Sequence, residues 1–268
     1  MSHQQRATPS GTNGAGLPWR KEGIVHKNNE AFLDILEHIN MTISATGQVL
    51  EGEIMGRIAM NSALSGMPHC VLPLRSTLPA DEQQLTFHEC VEVADFIADD
   101  RLHFVPPDGK CVLLEYRIMK NLSPPMQLIE LSVKRLSPSR LQVCFALNTN
   151  VPAQDTIVKI PCPSTTTTVT ALAPVGKVKF VSKEATIVWT VPKLETLALH
   201  KFTAEVVLST PSSDPSWIPS PVSIAFKANA PASGVRIVNF GITEGQLGYH
   251  AARFVRYSTT TGQYKCNA

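Results

Sequence analysis

The sequence predicts an all-β protein built from antiparallel, sandwich-like sheets. Apolar and polar residues alternate with a period of two in one segment after another, which is typical of half-buried strands. Twenty prolines and fifteen glycines are spread between these segments, and no stretch of ten or more residues keeps a helical period. Because parallel strands need long crossover connections, usually helices, the sheets are predicted to be antiparallel.

The first two strands are predicted at residues 31–43 and 49–61. Alternation divides the side chains of the first strand between the two faces of a sheet. One face carries Phe32, Asp34, Leu36 and His38, and the other carries Leu33, Ile35, Glu37 and Ile39. A helical period also fits part of this segment, but its β-branched continuation and the following Thr46-Gly47 turn favour two strands joined by a turn.

The remaining strands are predicted to follow at short intervals. They lie at residues 102–105, 112–118, 126–133, 141–148, 156–160, 177–181, 186–190, 202–208, 222–226, 234–240, 252–257 and 263–265. The Pro-Pro-Asp-Gly sequence at 106–109 makes a tight connection between two of them. These are more strands than one seven-stranded sandwich holds, so two subdomains are expected.

Composition limits the classes of function. A chain of 268 residues is long enough to bury a full core. Its net charge of +2 is too small for the whole chain to bind nucleic acid. Six scattered cysteines without a C-x-x-C pair favour a reducing, cytosolic compartment. The sequence has no apolar run of the roughly 18–20 residues that a membrane span needs, and polar residues 1–19 are expected to be a flexible leader or linker.

The sequence predicts no catalytic residues, no metal and no cofactor. His88 and Cys90 would share a face of a strand, but side chains two residues apart lie about 7 Å from each other, too far for a nucleophile–base hydrogen bond. A zinc site would need two further ligands, and the sequence offers no cluster that supplies them. The glycines match neither a phosphate loop nor a dinucleotide fingerprint. An enzyme is therefore not expected.

Eight short strings in a fixed order carry a family resemblance. They are PWRKEGI at 18–24, NEAFLD at 29–34, LSGMP at 64–68, FHECV at 87–91, FVPPDG at 104–109, IVW at 187–189, SGV at 233–235 and FVRY at 254–257. With these strings the chain resembles the C-terminal mu homology domain of the medium (mu) subunits of clathrin-adaptor complexes. Each string is weak alone, but their order and spacing extend over almost the whole chain.

The resemblance implies an elongated pair of immunoglobulin-like β-sandwiches, with the second inserted into the first. Residues 20–117 and 232–268 would form subdomain A, and residues 118–231 would form subdomain B. The family binds Tyr-x-x-Φ sorting signals, where Φ is a bulky apolar residue, in the cytosolic tails of membrane cargo. The peptide adds a strand to a sheet edge, so main-chain hydrogen bonds supply affinity and two pockets supply specificity.

The resemblance also implies partners and a location. The expected partners are the large and small chains of an adaptor complex. The expected place is the cytoplasmic side of a coated vesicle, an endosome, the Golgi or the plasma membrane, in clathrin-associated transport. The alternative is a scaffold similar to muniscins or coatomer, which binds other proteins without recognising tyrosine signals.

The implied tyrosine pocket consists of Phe32, Asp34, Asn61, Phe254 and Arg256. Phe32 would be an aromatic wall, Asp34 would accept a hydrogen bond from the signal hydroxyl, and Arg256 would stack on the ring. Two residues depart from the family pattern. Phe254 stands where a tryptophan is usual, and Asn61 stands where a lysine is common. These departures favour the scaffold alternative, whereas Asp34 and Arg256 favour signal binding.

The implied Φ pocket consists of Leu33, Ile237, Phe240 and Val255, with Phe240 larger than the usual aliphatic residue. Viewed singly, Phe32 and Leu33 could be ordinary core residues, and Arg256 could be an ordinary edge charge. Asp34 is more informative, because an unpaired carboxylate on an apolar strand is costly.

A second patch is expected at Lys177, Lys179 and Lys183, which alternation places on one face of a strand. A similar basic strand in some family members meets anionic phosphoinositide headgroups. A solubilising edge strand explains the same lysines equally well.

Overall fold

The computed structural model describes residues 16–75, 78, 84–211, 216–243 and 248–267. The predicted all-β class is confirmed. The strands are β1 (Glu30–Ile43), β2 (Val49–Ala63), β3 (His69–Arg75), β4 (Leu85–Phe87), β5 (Arg101–Phe104), β6 (Gly109–Ile118), β7 (Met126–Ser137), β8 (Arg140–Thr149), β9 (Ala153–Pro161), β10 (Thr166–Leu172), β11 (Lys177–Val181), β12 (Thr186–Leu194), β13 (Ala198–Leu208), β14 (Val222–Ala228), β15 (Arg236–Ile237), β16 (Gly241–Thr243) and β17 (Ala252–Cys266). A short helix, α1 (Val93–Asp99), and a 3₁₀ turn at Ser182–Glu184 complete the elements.

One large sheet extends through both halves of the molecule. Its nine strands follow the order β11-β12-β9-β14-β17-β1-β2-β6-β4. A four-stranded sheet, β10-β13-β8-β7, packs on the half that contains β12. Trp189 of β12 there contacts the rings of Phe145 and Phe202. A smaller sheet of β3, β5, β15 and β16 packs near the other half. The subdomain boundaries at 117/118 and 231/232 stay a prediction.

The expectation of a wholly antiparallel sheet is wrong at its centre. β1 and β17 pair in parallel, with Phe32 opposite Phe254 and Asp34 opposite Arg256. A parallel pair needs a long connection between its strands. Here almost the whole chain lies between β1 and β17, so no crossover helix is required and the alternation pattern could not reveal the pairing.

Several predicted boundaries also change. The predicted strand at 234–240 is reduced to the two residues of β15, and the predicted strands at 252–257 and 263–265 are one continuous strand, β17. β3, β4, β10, β16 and α1 were not predicted. Of the predicted leader, residues 1–15 lie outside the described part. Trp19 near its end donates a hydrogen bond from Nε1 to the Val105 carbonyl oxygen at 2.9 Å.

Burial along β1 follows the predicted alternation. Leu33, Ile35 and Ile39 are buried, whereas Phe32 and Asp34 are only half-buried. The face with Leu33 is therefore the inner face of the large sheet, and the face with Phe32 and Asp34 is its outer face. This division places the two predicted pockets on opposite sides of the sheet.

A buried carboxylate joins β1 to the segment that leads into β15. Glu37 lies on the inner face of β1 and is 3% exposed. It accepts hydrogen bonds from the Tyr116 hydroxyl at 2.7 Å, from the Ala232 amide at 2.6 Å, and from both the amide and the hydroxyl of Ser233. The Thr259 hydroxyl donates at 3.3 Å. Because a buried charge needs such partners, Glu37 fixes the backbone at residues 232–233.

We expect Gly56→Ala to lower the free energy of unfolding by about 1–3 kcal/mol, because it overpacks the sheet. Gly56 lies beside Tyr116, and a Cβ atom there would overlap the phenol ring that donates to Glu37. Gly241→Ala is the matched control, because its Cβ would make only an ordinary contact, 3.6 Å from the Val71 carbonyl oxygen. Urea denaturation checks the pair, and equal stability of the two variants would contradict this packing.

Candidate functional site: the open edge of β17

Among the strands that the structure describes, the first half of β17 has one unpaired edge. On one side, residues 252–261 pair with β1. On the other side, pairing with β14 covers Thr259 to Cys266. Within the described ranges, no strand pairs with residues 252–258 on that side. In a parallel pair, alternate residues direct their N–H and C=O groups away from the partner. The edge therefore presents hydrogen-bonding groups that can receive another strand.

Two aromatic rings flank this edge on the outer face. The Phe32 and Phe254 rings stack with their centroids 4.7 Å apart and their planes at 10°. This contact follows from the parallel register, which places the two residues opposite each other. Phe254 remains 46% exposed. The pair therefore offers an aromatic surface to a ring that approaches from solvent.

A charged pair lies next to these rings. Arg256 Nε donates to Asp34 Oδ1 at 2.7 Å, and Arg256 Nη2 donates to Asp34 Oδ2 at 3.0 Å. The hydrogen bond and the charge of Asp34 raise the pKa of Arg256 above its ordinary value, so the guanidinium stays protonated. A carboxylate offers about four acceptor positions, and Arg256 occupies two of them. The Asp34 carboxylate is thus oriented and can still accept a hydroxyl.

Asn61 completes the predicted tyrosine pocket. It lies opposite Phe32 on β2, and its side chain is exposed. The structure therefore brings Phe32, Asp34, Asn61, Phe254 and Arg256 to one region of the outer face. They come from positions about 220 residues apart, which only the pairing of β1 with β17 can bring together.

The four predicted Φ-pocket residues lie on or against the inner face. Leu33 is opposite Val255 in the register and is 0% exposed, so it belongs to the core beneath the open edge. Val255 is 38% exposed at the open edge. Ile237 is half-buried and Phe240 is buried in the segment that follows Ser233. An extended strand on this edge would point alternate side chains to opposite faces, so residues three apart would reach one pocket each.

The lysine patch only partly keeps its predicted geometry. Lys177 and Lys179 are exposed residues of β11, the edge strand of the large sheet. Lys183 is not on this strand, because β11 ends at Val181 and Lys183 lies in the 3₁₀ turn that follows. The expectation that all three lysines share one strand face is therefore wrong for Lys183, since alternation does not continue through the turn.

The structure gives His88 and Cys90 a structural role. The Cys90 amide donates to His88 Nδ1 at 3.1 Å, so the imidazole contacts the backbone and not the thiol. Burial raises the pKa of the Cys90 thiol to about 12. All six cysteines lie in the described residues, and each is a free thiol. Over the same residues, His, Cys, Asp and Glu side chains form no group of three placed to hold a metal ion.

Three further side chains bound this region and are not among the predicted pocket residues. Tyr257 accepts a hydrogen bond from the Ile237 amide at 3.0 Å, Arg253 Nη1 donates to the Phe240 carbonyl oxygen at 2.7 Å, and Glu37 holds residues 232–233. Of these three residues, Glu37 alone could have been noticed in the sequence, as an acidic residue at an inner position of β1. The distant partners of these side chains leave no mark in a local pattern.

Comparisons with known proteins give the family. The adaptor complexes medium subunit family matches residues 17–268. The chain is 30% identical to the AP-2 complex subunit mu of Caenorhabditis elegans over 279 residues, which cover 93% of this chain and 63% of that protein. It is 31% identical to the AP-1 complex subunit mu-1-I of the same organism, over 93% of this chain and 62% of that protein. The chain thus spans about three fifths of the length of these relatives.

A solved structure supports the fold. The mu-homology domain of yeast delta-COP-I, complexed with a Dsl1 WxWxV peptide, matches with a TM-score of 0.63 and 16% identity. The match covers 91% of this chain and all of that domain. The described part of the chain also contains no helix with the length and apolar character needed to cross a membrane.

Proposed function

Since the chain belongs to the adaptor complexes medium subunit family, we propose that it receives Tyr-x-x-Φ sorting signals at the open edge of β17. The observation that carries this proposal is the unpaired edge at residues 252–258, flanked by the Phe32–Phe254 stack and the Asp34–Arg256 pair. The proposed role is binding in clathrin-associated transport at the cytoplasmic side of membranes, not catalysis.

The spacing of the signal fits the two faces of the sheet. In an extended peptide, residues i and i+3 point to opposite sides. If the signal adds to β17, its tyrosine reaches the outer face and its Φ residue reaches the inner face beside Val255. Backbone hydrogen bonds to β17 would supply affinity that does not depend on side chains, and the two pockets would select the sequence.

The outer face suits a phenol. The exposed Phe254 ring offers apolar area to the tyrosine ring, and Asp34 offers an acceptor to its hydroxyl. Arg256 orients this carboxylate through two hydrogen bonds. A signal with phenylalanine in place of tyrosine would cover the Asp34 carboxylate without offering it a hydroxyl donor. A site built to bind a hydroxyl discriminates against such a ligand.

Calorimetric titration tests this function. We expect a peptide with a Tyr-x-x-Leu signal to bind saturably, and we expect its Tyr→Ala and Leu→Ala counterparts to bind much more weakly. Equal binding of all three peptides would mean that the edge accepts strands without reading the signal. Absence of binding by the Tyr-x-x-Leu peptide would contradict the proposed function.

A second candidate is a scaffold that binds other protein segments. Two residues at the site favour it, because Phe254 is smaller than tryptophan and Asn61 carries no charge. The similar delta-COP-I domain is complexed with a WxWxV peptide and not a tyrosine signal. A chain that ignores Tyr-x-x-Leu but binds a Trp-containing peptide would support this candidate.

We further propose that the exposed lysines of β11 and of the 3₁₀ turn that follows it contact anionic phosphoinositide headgroups. Reversing Lys177, Lys179 and Lys183 to Glu should markedly lower retention on phosphoinositide liposomes, because each lysine near an anionic bilayer contributes about 1 kcal/mol. Co-sedimentation measures the effect.

The control variant replaces Lys120, Lys134 and Lys201 by Glu. These lysines are also exposed but lie outside β11 and the turn that follows it. The control variant changes the net charge by the same amount. If the β11 variant is retained as well as the wild-type chain, the membrane contact is wrong. If both variants lose retention equally, the effect belongs to net charge and not to β11.

A further inference from the structure

The segment 232–240 lies against the inner face of β17, and within the described residues few backbone hydrogen bonds hold it. β15 pairs only Arg236 and Ile237 with β3, and the Val238 amide adds one bond to the Pro73 carbonyl oxygen. Such a short ladder cannot by itself fix the distance between this segment and β17. Side chains from the large sheet must contribute to that distance.

Glu37 anchors the start of the segment. Its carboxylate accepts hydrogen bonds from the Ala232 and Ser233 amides and from the Ser233 hydroxyl. The Ser233 hydroxyl also accepts a hydrogen bond from the Val235 amide at 3.0 Å. The backbone therefore turns towards β15 from a fixed position.

Two side chains of β17 hold the rest of the segment. Arg253, Val255 and Tyr257 alternate along the strand, so they share its inner face. The Ile237 amide donates to the Tyr257 hydroxyl at 3.0 Å, and Arg253 Nη1 donates to the Phe240 carbonyl oxygen at 2.7 Å. Val255 lies between these two bonds, beside the open edge.

We propose that Tyr257 and Arg253 are positioning residues that set the size of the Φ pocket. The two residues that they hold, Ile237 and Phe240, are two of the residues predicted to line that pocket. Under the proposed function a Φ side chain must enter between β17 and this segment, above the buried Leu33. With both bonds in place this gap accepts a Leu more readily than a Phe, and losing either bond lets the segment move outward. This inference rests on the proposed function.

The test compares two signals that differ only at Φ. We expect the wild-type chain to bind Tyr-x-x-Leu more tightly than Tyr-x-x-Phe. Tyr257→Phe should reduce that preference at least about three-fold, a fraction of the 10- to 200-fold that pocket size can supply. The loss on replacing the signal tyrosine by Ala should stay unchanged, because Asp34 and Arg256 lie on the other face.

Tyr264→Phe is the matched control. The Tyr264 hydroxyl also bonds the backbone, at Met126, but far along β17 from the open edge. It should leave the Leu-to-Phe preference unchanged. Arg253→Met provides a second variant if Tyr257→Phe does not fold, because it removes the bond to Phe240 at the other end of the gap.

The outcomes separate this inference from the function that it rests on. If the wild-type chain binds neither signal, the proposed function fails and this inference fails with it. If the wild-type chain binds Tyr-x-x-Leu but folded Tyr257→Phe and Arg253→Met keep its Leu-to-Phe preference, only the positioning role is overturned.

Discussion

Asp34→Ala should weaken binding of a Tyr-x-x-Leu peptide by about 10- to 100-fold, because a hydrogen bond to a charged group contributes about 1.5–3 kcal/mol. The substitution removes the acceptor for the signal hydroxyl and frees Arg256 from its two hydrogen bonds. Isothermal titration calorimetry measures the change.

Asp99→Ala is the control for this result. Asp99 also belongs to an exposed ion pair, with Arg101 Nε at 3.5 Å, but it lies at the end of α1. Its replacement should leave peptide affinity unchanged. A second check uses the Tyr→Phe peptide, which should not bind Asp34→Ala more weakly than the wild-type chain, because it has no hydroxyl for the carboxylate to accept. Unchanged affinity of Asp34→Ala for the tyrosine peptide would remove Asp34 from the site.

Glu37→Ala should have the largest effect on stability, lowering the free energy of unfolding by at least about 3 kcal/mol. It leaves the Tyr116 hydroxyl and the amides of Ala232 and Ser233 without their buried acceptor. Unmade hydrogen bonds of buried donors are costly because the donors have also lost water. Chemical denaturation gives the value.

Two further variants serve as comparisons for the stability of Glu37→Ala. Glu37→Gln keeps one acceptor oxygen and should fall between the wild-type chain and Glu37→Ala. Glu115→Ala removes an exposed carboxylate from β6 and should change stability by less than about 0.5 kcal/mol. If Glu37→Ala is as stable as Glu115→Ala, the buried network does not hold the 232–233 segment.

The fold class follows from local pattern. Alternation along 31–43 predicts both the strand and its two faces, and burial along β1 confirms them. Parallel pairing could not be predicted in this way, because alternation is the same whichever direction the neighbouring strand runs. The short strands β4 and β15 leave too few residues for a period to appear.

The sequence indicates some residues of the candidate site and not others. Asp34 is conspicuous in the sequence because a carboxylate interrupts an apolar strand, and family motifs pair it with Arg256. The motifs do not indicate that Tyr257 or Arg253 holds the segment 232–240. Their partners are backbone atoms of Ile237 and Phe240, and a backbone atom has no residue type that a sequence pattern could mark.

Amide hydrogen exchange along β17 shows whether a tyrosine signal adds a strand to the sheet. If the signal pairs with the edge at residues 252–258, a saturating Tyr-x-x-Leu peptide should slow exchange of the outward amides there. The amides of 259–266, already paired with β14, should change little. Bound peptide without protection at 252–258 would place the signal elsewhere and contradict strand addition at this edge.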